Sequence, residues 1–470
     1  MVNYGFVIDN RKCIGCHACT VACKSEHDVP IGVNRTHVKY IEKGTYPDVT
    51  REFSVHRCNH CEDSPCTTIC PTTALFTRED GIVDFDDDRC IGCKSCMQAC
   101  PYDALYIDPN KGTAAKCNYC AHRIEHSYEP SCVVVCPVEA IISGDLDDPN
   151  SSISGYLNEH ETIVRKPESG AKPNVFYVET SEDSLDPHAT ERSGEYLWTD
   201  QAAGVGHFAK YAEQRSGAAD THSMIVQLAL EKKAKAAAPR DRAIIHDVMS
   251  RLEEEAGKPK RSYDQPSKGV LWGWEVSAYV VTKAIATGTY MLAMALMLSG
   301  MLEMTDGMWW RLVIGCTAFL GLTGVLLILD LDRPERFVYV MLRPNWDSWL
   351  VKGAYLLGGF GGVLACSGAV LLFGLDRIYL EYLAYAGVPL ALLTGVYTAW
   401  LLKQARGRSW SEDGLLEAKM IFEMVVVGGG GVLLMASPGI LSMLVFAVLM
   451  AVVASHAHGT VIKPQLETLH

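Results

Sequence analysis

The sequence predicts an α+β domain followed by an all-α bundle of about six transmembrane helices. Two observations predict this division. Of the 18 cysteines, 16 fall between Cys13 and Cys136, and only Cys316 and Cys366 lie outside. After Pro266 the charges thin out and long apolar runs begin. The hydrophobic fraction of 49% therefore averages two unlike halves. The net charge of −13 speaks against nucleic acid as a partner, because phosphate binding needs a basic face to displace counterions. Three stretches follow: 1–180 carrying the cysteines, 181–268 as a linker, and 269–470 in the membrane.

The cysteines form four groups. The first is Cys13, Cys16, Cys19 and Cys23, spaced x2, x2, x3. The second is Cys58, Cys61, Cys66 and Cys70, followed by Pro71. The third is Cys90, Cys93, Cys96 and Cys100, followed by Pro101, and the fourth is Cys117, Cys120, Cys132 and Cys136, followed by Pro137. The third group is the bacterial ferredoxin run, and the first shares its spacing without the proline. Three closely spaced thiolates in a tight loop can hold three corners of a cubane. The fourth cysteine is carried off on the next helix and ligates a neighbouring cluster. Gly15 and Gly92 permit the bend and let the backbone approach closely. Zinc would be content with paired CxxC units and has no use for the x2-x2-x3 run. Sixteen thiolates thus predict four [4Fe–4S] clusters. The expected architecture is a ferredoxin-like double dicluster, with much of its stability supplied by metal. His17, His56, His60, His122 and His126 lie near cysteines and read as supporting residues, because the thiolates already account for four cubanes.

An even cysteine count could instead mean disulfides in a secreted chain. The opening Met-Val-Asn-Tyr-Gly-Phe-Val has no basic n-region, apolar core or twin arginine, so a reducing compartment and metal ligation are expected. Between the groups, the runs 81–85, 104–107 and 140–143 read as short strands. In the linker, 223–235 and 240–256 carry helical apolar spacing with charged faces and read as surface helices.

The whole segment to about residue 180 resembles the four-cluster electron-transfer subunit of molybdopterin oxidoreductases, the polysulfide and dimethyl-sulfoxide reductase group. The resemblance implies that the outer groups pair and the inner groups pair. One cluster would take Cys13, Cys16, Cys19 and Cys136, and its mate Cys117, Cys120, Cys132 and Cys23. The inner clusters would take Cys58, Cys61, Cys66 and Cys100, and then Cys90, Cys93, Cys96 and Cys70. Only the Cys70/Cys100 exchange also follows from the local ferredoxin rule.

In the membrane half, a hydrocarbon core about 30 Å thick needs about 20 apolar residues per helix. The runs 271–299, 309–330, 350–374, 380–402, 416–435 and 439–457 meet that length. Basic residues gather on one side: Lys258, Lys260, Arg261 and Lys268, then Arg333, Arg336, Arg343 and Lys352, then Lys403, Arg406 and Arg408. The positive-inside rule places that side, and the cysteine domain with it, in the cytoplasm, at the inner membrane. Small residues at Ala284/Gly288, Gly358/Gly362 and Gly428–Gly431 predict close helix packing.

The segments 272–279, 330–337 and 342–349 resemble an NrfD-type membrane subunit. That family typically has eight helices where this sequence offers six, so the chain reads as a short variant or a truncated one. The resemblance implies quinone, menaquinone or ubiquinone, near the cluster-facing surface. Ionisable residues at membrane depth are expensive and mark functional sites. Trp274, Tyr279, Lys283, Asp330, Arg333 and Trp349 are the candidates for the polar end of such a site; the competing reading is headgroup anchoring. His456 and His458 read as interfacial. No pterin site is visible, so the substrate chemistry would belong to a separate catalytic subunit that carries a molybdenum or tungsten pterin. A hydrogenase partner and a cluster-driven proton- or ion-translocating module, with Glu423 as its main mid-helix charge, are the alternatives.

Overall fold

The computed structural model describes residues 2–45, 48–186, 190–192, 258–265 and 268–466. The two linker helices expected at 223–235 and 240–256 lie outside them.

Strand β1 (Tyr4–Asp9) is apolar along its length and buried, as a central strand must be. It pairs antiparallel with β8 (Ile141–Asp145) and parallel with β10 (Val175–Val178), and β9 (Thr162–Ile163) closes this sheet in the order β8-β1-β10-β9. The two ends of the cysteine domain therefore meet in one sheet. A long hairpin, β2 (His37–Thr45) with β3 (Asp48–His56), begins a second sheet. Two short ribbons complete the strands: β4 (Leu75–Thr77) with β5 (Val83–Phe85), and β6 (Tyr106–Asp108) with β7 (Thr113–Ala115). The expected strands at 81–85, 104–107 and 140–143 are thus present, each shortened or shifted by one or two residues.

The cysteine loops lead into short helices: α1 (Ala18–Glu26), α2 (Pro65–Ile69), α3 (Ser95–Ala99), α4 (Ala121–Ile124) and α5 (Ser131–Val134). Helices α6 (Ser152–Glu159) and α7 (Glu182–Leu185) are each capped by a serine whose hydroxyl accepts the N–H three residues on.

The linker contributes strands of its own. β11 (Glu191–Arg192) and β12 (Lys260–Tyr263) add to the hairpin in the order β11-β12-β2-β3. The joint is fastened by buried charge: Asp264 meets Lys39 Nζ at 2.9 Å and Arg261 Nη1 at 2.8 Å. The polypeptide is thus pinned to the cysteine domain immediately before it enters the membrane half.

Among the described residues, six helices are long and apolar enough to cross a membrane: α8 (Trp274–Leu298), α9 (Asp306–Leu329), α11 (Trp349–Leu372), α12 (Ile378–Gln404), α13 (Leu416–Ala436) and α14 (Ile440–Leu466). A short α10 (Tyr339–Leu342) lies in the loop between α9 and α11. Helix α8 is central and packs against α9, α12, α13 and α14. Its contact with α13 is close. A Cβ on Gly288 would lie 2.1 Å from the Met424 carbonyl oxygen, and one on Gly428 2.4 Å from the Gly288 carbonyl carbon. Gly358 and Gly362 differ from expectation, since a Cβ on either would meet nothing within 4 Å. That pair faces away from its neighbours. The last helix runs to Leu466, well past the expected end at 457, so His456 lies inside the helix.

Candidate functional site

The four cysteine groups share one backbone device. Two residues after the first cysteine of each group, the backbone enters the left-handed region: Gly15 (φ 67), His60 (φ 43), Gly92 (φ 69) and Tyr119 (φ 59). That turn aims the N–H of each of these residues at the preceding thiol, Cys13, Cys58, Cys90 and Cys117 respectively. Glycine takes this conformation freely, whereas His60 and Tyr119 bear a cost of about 1–2 kcal/mol each. Their rings are both buried and meet edge to face at 5.5 Å, which offsets part of it. A second turn follows the last cysteine. After Cys100-Pro101 and Cys136-Pro137, Asp103 (φ 51) and Glu139 (φ 49) turn the backbone so that the N–H of Ala104 and Ala140 donates back to the thiols.

The fold brings the last cysteine of each group to another group. Cys23 adjoins Cys117, Cys120 and Cys132. Cys136 adjoins Cys13, which neighbours Cys16 and Cys19. Cys100 adjoins Cys58, Cys61 and Cys66. Cys70 adjoins Cys90, Cys93 and Cys96, and these four line one enclosed cavity. Burial pushes most of these thiols up, Cys19 to about 11 and Cys93 to about 12. A thiolate here needs a positive group in the pocket, so ligation and deprotonation come together.

The donor set suits a sulfur-rich anionic cluster better than a lone ion. Among the described residues, no three His, Cys, Asp or Glu side chains converge tightly enough to hold a single metal ion. The buried Arg57 donates from Nη1 to Cys132 Sγ at 3.1 Å. Its Nε and Nη2, and both amide atoms of the buried Asn59, have no protein partner among the described residues. The three N–H groups among these, Arg57 Nε and Nη2 and Asn59 Nδ2, are expensive unless something accepts from them, and cluster sulfides would. The histidines behave as supports: His17 Nε2 lies 2.9 Å from the Tyr40 hydroxyl, and His60 Nδ1 accepts the Val83 N–H at 3.2 Å.

The third group and the end of the second meet the membrane half. The Asp332 N–H donates to Gly92 O (3.4 Å) and the Arg333 N–H to Ile91 O (3.2 Å). Trp272 Nε1 donates to Cys93 O (3.1 Å), and Arg336 Nη1 to Cys90 O (3.1 Å). Lys94 Nζ donates to Asp330 O and pairs with Asp332, both at 3.2 Å. Cys70, on its own loop, is held from the same side. Asn345 Nδ2 donates to Cys70 O at 2.8 Å, and Ser348 Oγ to Ile69 O at 2.7 Å.

The six membrane candidates do not form one cluster. Tyr279 and Lys283 are buried together in the bundle; Lys283 Nζ donates to Thr398 Oγ1 and lies 4.5 Å from the Tyr397 ring centre. Asp330 caps α9 beside Lys94, and the Tyr279 hydroxyl lies within its electrostatic reach. Arg333 binds the cysteine domain, its Nε donating to Lys111 O at 2.6 Å. Trp274 is 63% exposed at the start of α8. Trp349 packs tilted against Trp400, ring centres 4.5 Å apart, and lines a separate cleft of about 870 Å³ between the two halves. Sequence reasoning missed Tyr397 and Thr398. It also missed that the half-exposed His456 reaches the buried Glu423, with Nδ1 2.5 Å from Oε1.

Comparison with known proteins matches this division. Residues 49–146 match a 4Fe-4S dicluster domain, and residues 264–437 match the family described as polysulphide reductase, NrfD. The B component of tetrathionate reductase from Salmonella typhimurium is 45% identical over 179 residues, covering 37% of this chain and 72% of that protein. The protein belongs to the 4Fe-4S iron–sulfur subunit family of these reductases, fused to an NrfD-type membrane domain. The B component of polysulfide reductase from Wolinella succinogenes is 43% identical over 178 residues, covering 37% of this chain and 93% of that one. Protein NrfC of Escherichia coli is 42% identical over 180 residues, covering 38% and 81%. Family membership makes this an iron–sulfur electron-transfer protein, and the six helices make it a multi-pass membrane protein.

Proposed function

We propose that the protein is the electron-transfer and anchor subunit of a respiratory oxidoreductase. It would carry electrons through four [4Fe–4S] clusters between a separate molybdenum- or tungsten-pterin subunit and membrane quinone. Residues 1–180, 181–268 and 269–470 would be its cluster domain, linker and quinone-interacting domain. The ligand sets are Cys13, Cys16, Cys19 and Cys136; Cys117, Cys120, Cys132 and Cys23; Cys58, Cys61, Cys66 and Cys100; and Cys90, Cys93, Cys96 and Cys70. Held by these thiolates, the clusters supply one-electron transfer.

The observation that carries the reading is the seating of the Cys90–Cys96 loop on the NrfD segments. Trp272, Asp332, Arg333 and Arg336 all bond to backbone within or next to that loop, above the buried Tyr279–Lys283 group. Tyr279 and Lys283 would orient a quinone carbonyl and donate a proton to it. The side with more basic residues is proposed to be cytoplasmic. The relatives' names, tetrathionate and polysulfide reductase, support a reductase partner. A second reading, a cluster-driven ion-translocating module, draws on the His456–Glu423 pair and on Lys283 within its electrostatic reach, from three helices.

The test is anaerobic purification from membranes with whatever co-purifies, followed by metal analysis and low-temperature EPR. About sixteen irons per polypeptide, with molybdenum or tungsten and clusters reduced by added quinol, are expected. Zinc without iron, or clusters indifferent to quinol, would overturn the proposal.

A further inference from the structure

Resting on that quinone reading, we infer that His456, Glu423 and Lys283 form a proton relay from the cluster-bearing side of the membrane to the quinone carbonyl. Three observations support it. First, the three groups come from α14, α13 and α8 and are arranged in series. His456 Nδ1 meets Glu423 Oε1 at 2.5 Å, and Glu423 lies within electrostatic reach of Lys283 without touching it. Lys283 Nζ in turn donates to Thr398, among the rings of Tyr279 and Tyr397.

Second, burial decreases outward along the series. Lys283 is 1% exposed, Glu423 4%, while the His456 side chain is 50% exposed. A purely structural ion pair would have no reason to continue to a surface imidazole. Third, His456 lines a groove of about 720 Å³ whose rim is polar, with Asp413 and Lys419 paired at 2.5 Å and Ser455, Thr460 and Lys463 beside them. Those rim residues belong to the loop and helix end on the cluster side. Lys463 lies about two helical turns beyond His456, a depth of roughly 10 Å. Water entering the groove would thus reach an imidazole already bonded to a buried carboxyl.

The balance is simple. Quinone takes two electrons, one at a time from the reduced clusters, and two protons, and each C=O becomes C–OH. Each passage moves one proton from groove water to His456, then to Glu423, then through a bridging water to Lys283, and from Nζ to a carbonyl oxygen. Lys283 is reprotonated by the next passage.

The test uses the full-length protein with its clusters reduced anaerobically and excess reductant removed, mixed with a short-tailed benzoquinone. Cluster reoxidation is followed by stopped-flow absorbance in H2O and D2O. Glu423→Gln should slow reoxidation by about tenfold or more and recover on adding azide or formate as small proton carriers. Glu423→Asp should recover most of the rate unaided. His456→Gln, at a half-exposed position, should show the same pattern in milder form, and serves if the Glu423→Gln variant fails to fold. Independently of activity, the quinone-dependent infrared difference spectrum should lose a carboxylic C=O band in Glu423→Gln. If the parent reoxidises normally and the variants match it in rate and isotope effect, the relay is overturned while the quinone reading stands. If the parent itself does not react with quinone, the quinone reading fails and the relay with it.

Discussion

Gly92 is one place where the cysteine domain touches the membrane half closely, so replacing it by alanine tests the junction. At φ 69, a Cβ would lie 2.7 Å from Asp332 Cβ, 2.8 Å from the Gly112 carbonyl oxygen and 3.1 Å from Asp332 N. Two of these neighbours are backbone and cannot rotate away. The left-handed conformation alone costs alanine about 1–2 kcal/mol. Relief by displacement would break the Asp332 N–H to Gly92 O and Arg333 N–H to Ile91 O bonds, each worth about 1 kcal/mol. The sum, about 3–4 kcal/mol, corresponds to a few-hundredfold shift against the docked loop. Gly15 is the internal control. It has the same conformation at φ 67, but the three atoms nearest its Cβ would all belong to the Phe53 ring, a side chain that can move. Gly92→Ala should therefore lose quinone-linked reoxidation of its clusters, by stopped-flow absorbance, while Gly15→Ala retains it. Iron content checks that both still carry clusters. A fully loaded Gly92→Ala protein with the parental rate would refute the claim that this contact couples the two halves.

The crossed cysteines give a second test. Cys70→Ser should alter the EPR signal of the cluster at Cys90, Cys93 and Cys96 and block quinone-linked reduction. Cys100→Ser should instead alter the cluster at Cys58, Cys61 and Cys66; the same signal changing in both would refute the exchange. A third concerns the strand that leads into the membrane. Burial pushes the Asp264 carboxyl up, but Lys39 and Arg261 together hold it below its ordinary value of 3.8. Its stabilisation is therefore complete above that value and is lost as pH falls through the lower, folded one. Hydrogen exchange at Lys260–Tyr263, taken relative to its intrinsic rate at each pH, should accelerate on that descent. At neutral pH, Asp264→Asn should accelerate it too, because two buried cations then lose a partner at a cost of about 3–5 kcal/mol.

Much of this protein is local, and the local part was legible. Cysteine spacing reports the cluster loops because x2-x2-x3 is set by a few consecutive dihedrals, and Gly15 and Gly92 mark two of the four left-handed turns. The other two fall on His60 and Tyr119, which no propensity would choose; packing holds them there. Helix spans were readable because the length of an apolar run is itself the physical requirement for crossing a bilayer. Partners were not. Gly288 and Gly358 look alike in sequence, yet one meets the α13 backbone and the other meets nothing. Trp274, Arg333 and Trp349 share the interfacial character of Tyr279 and Lys283, but helix rotation and the docked cysteine domain send them to three different surroundings. Glu423 stood out as a charge among apolar residues, whereas its partner His456, 33 residues away, could be paired with it only by the crossing of α13 and α14. By itself the sequence determined which residues could bind iron and which could span the membrane, since both depend on near neighbours in the chain. Which cysteine loop seats on the membrane half, and which buried charges meet, only the tertiary structure decided, because those contacts join residues that linear spacing does not relate.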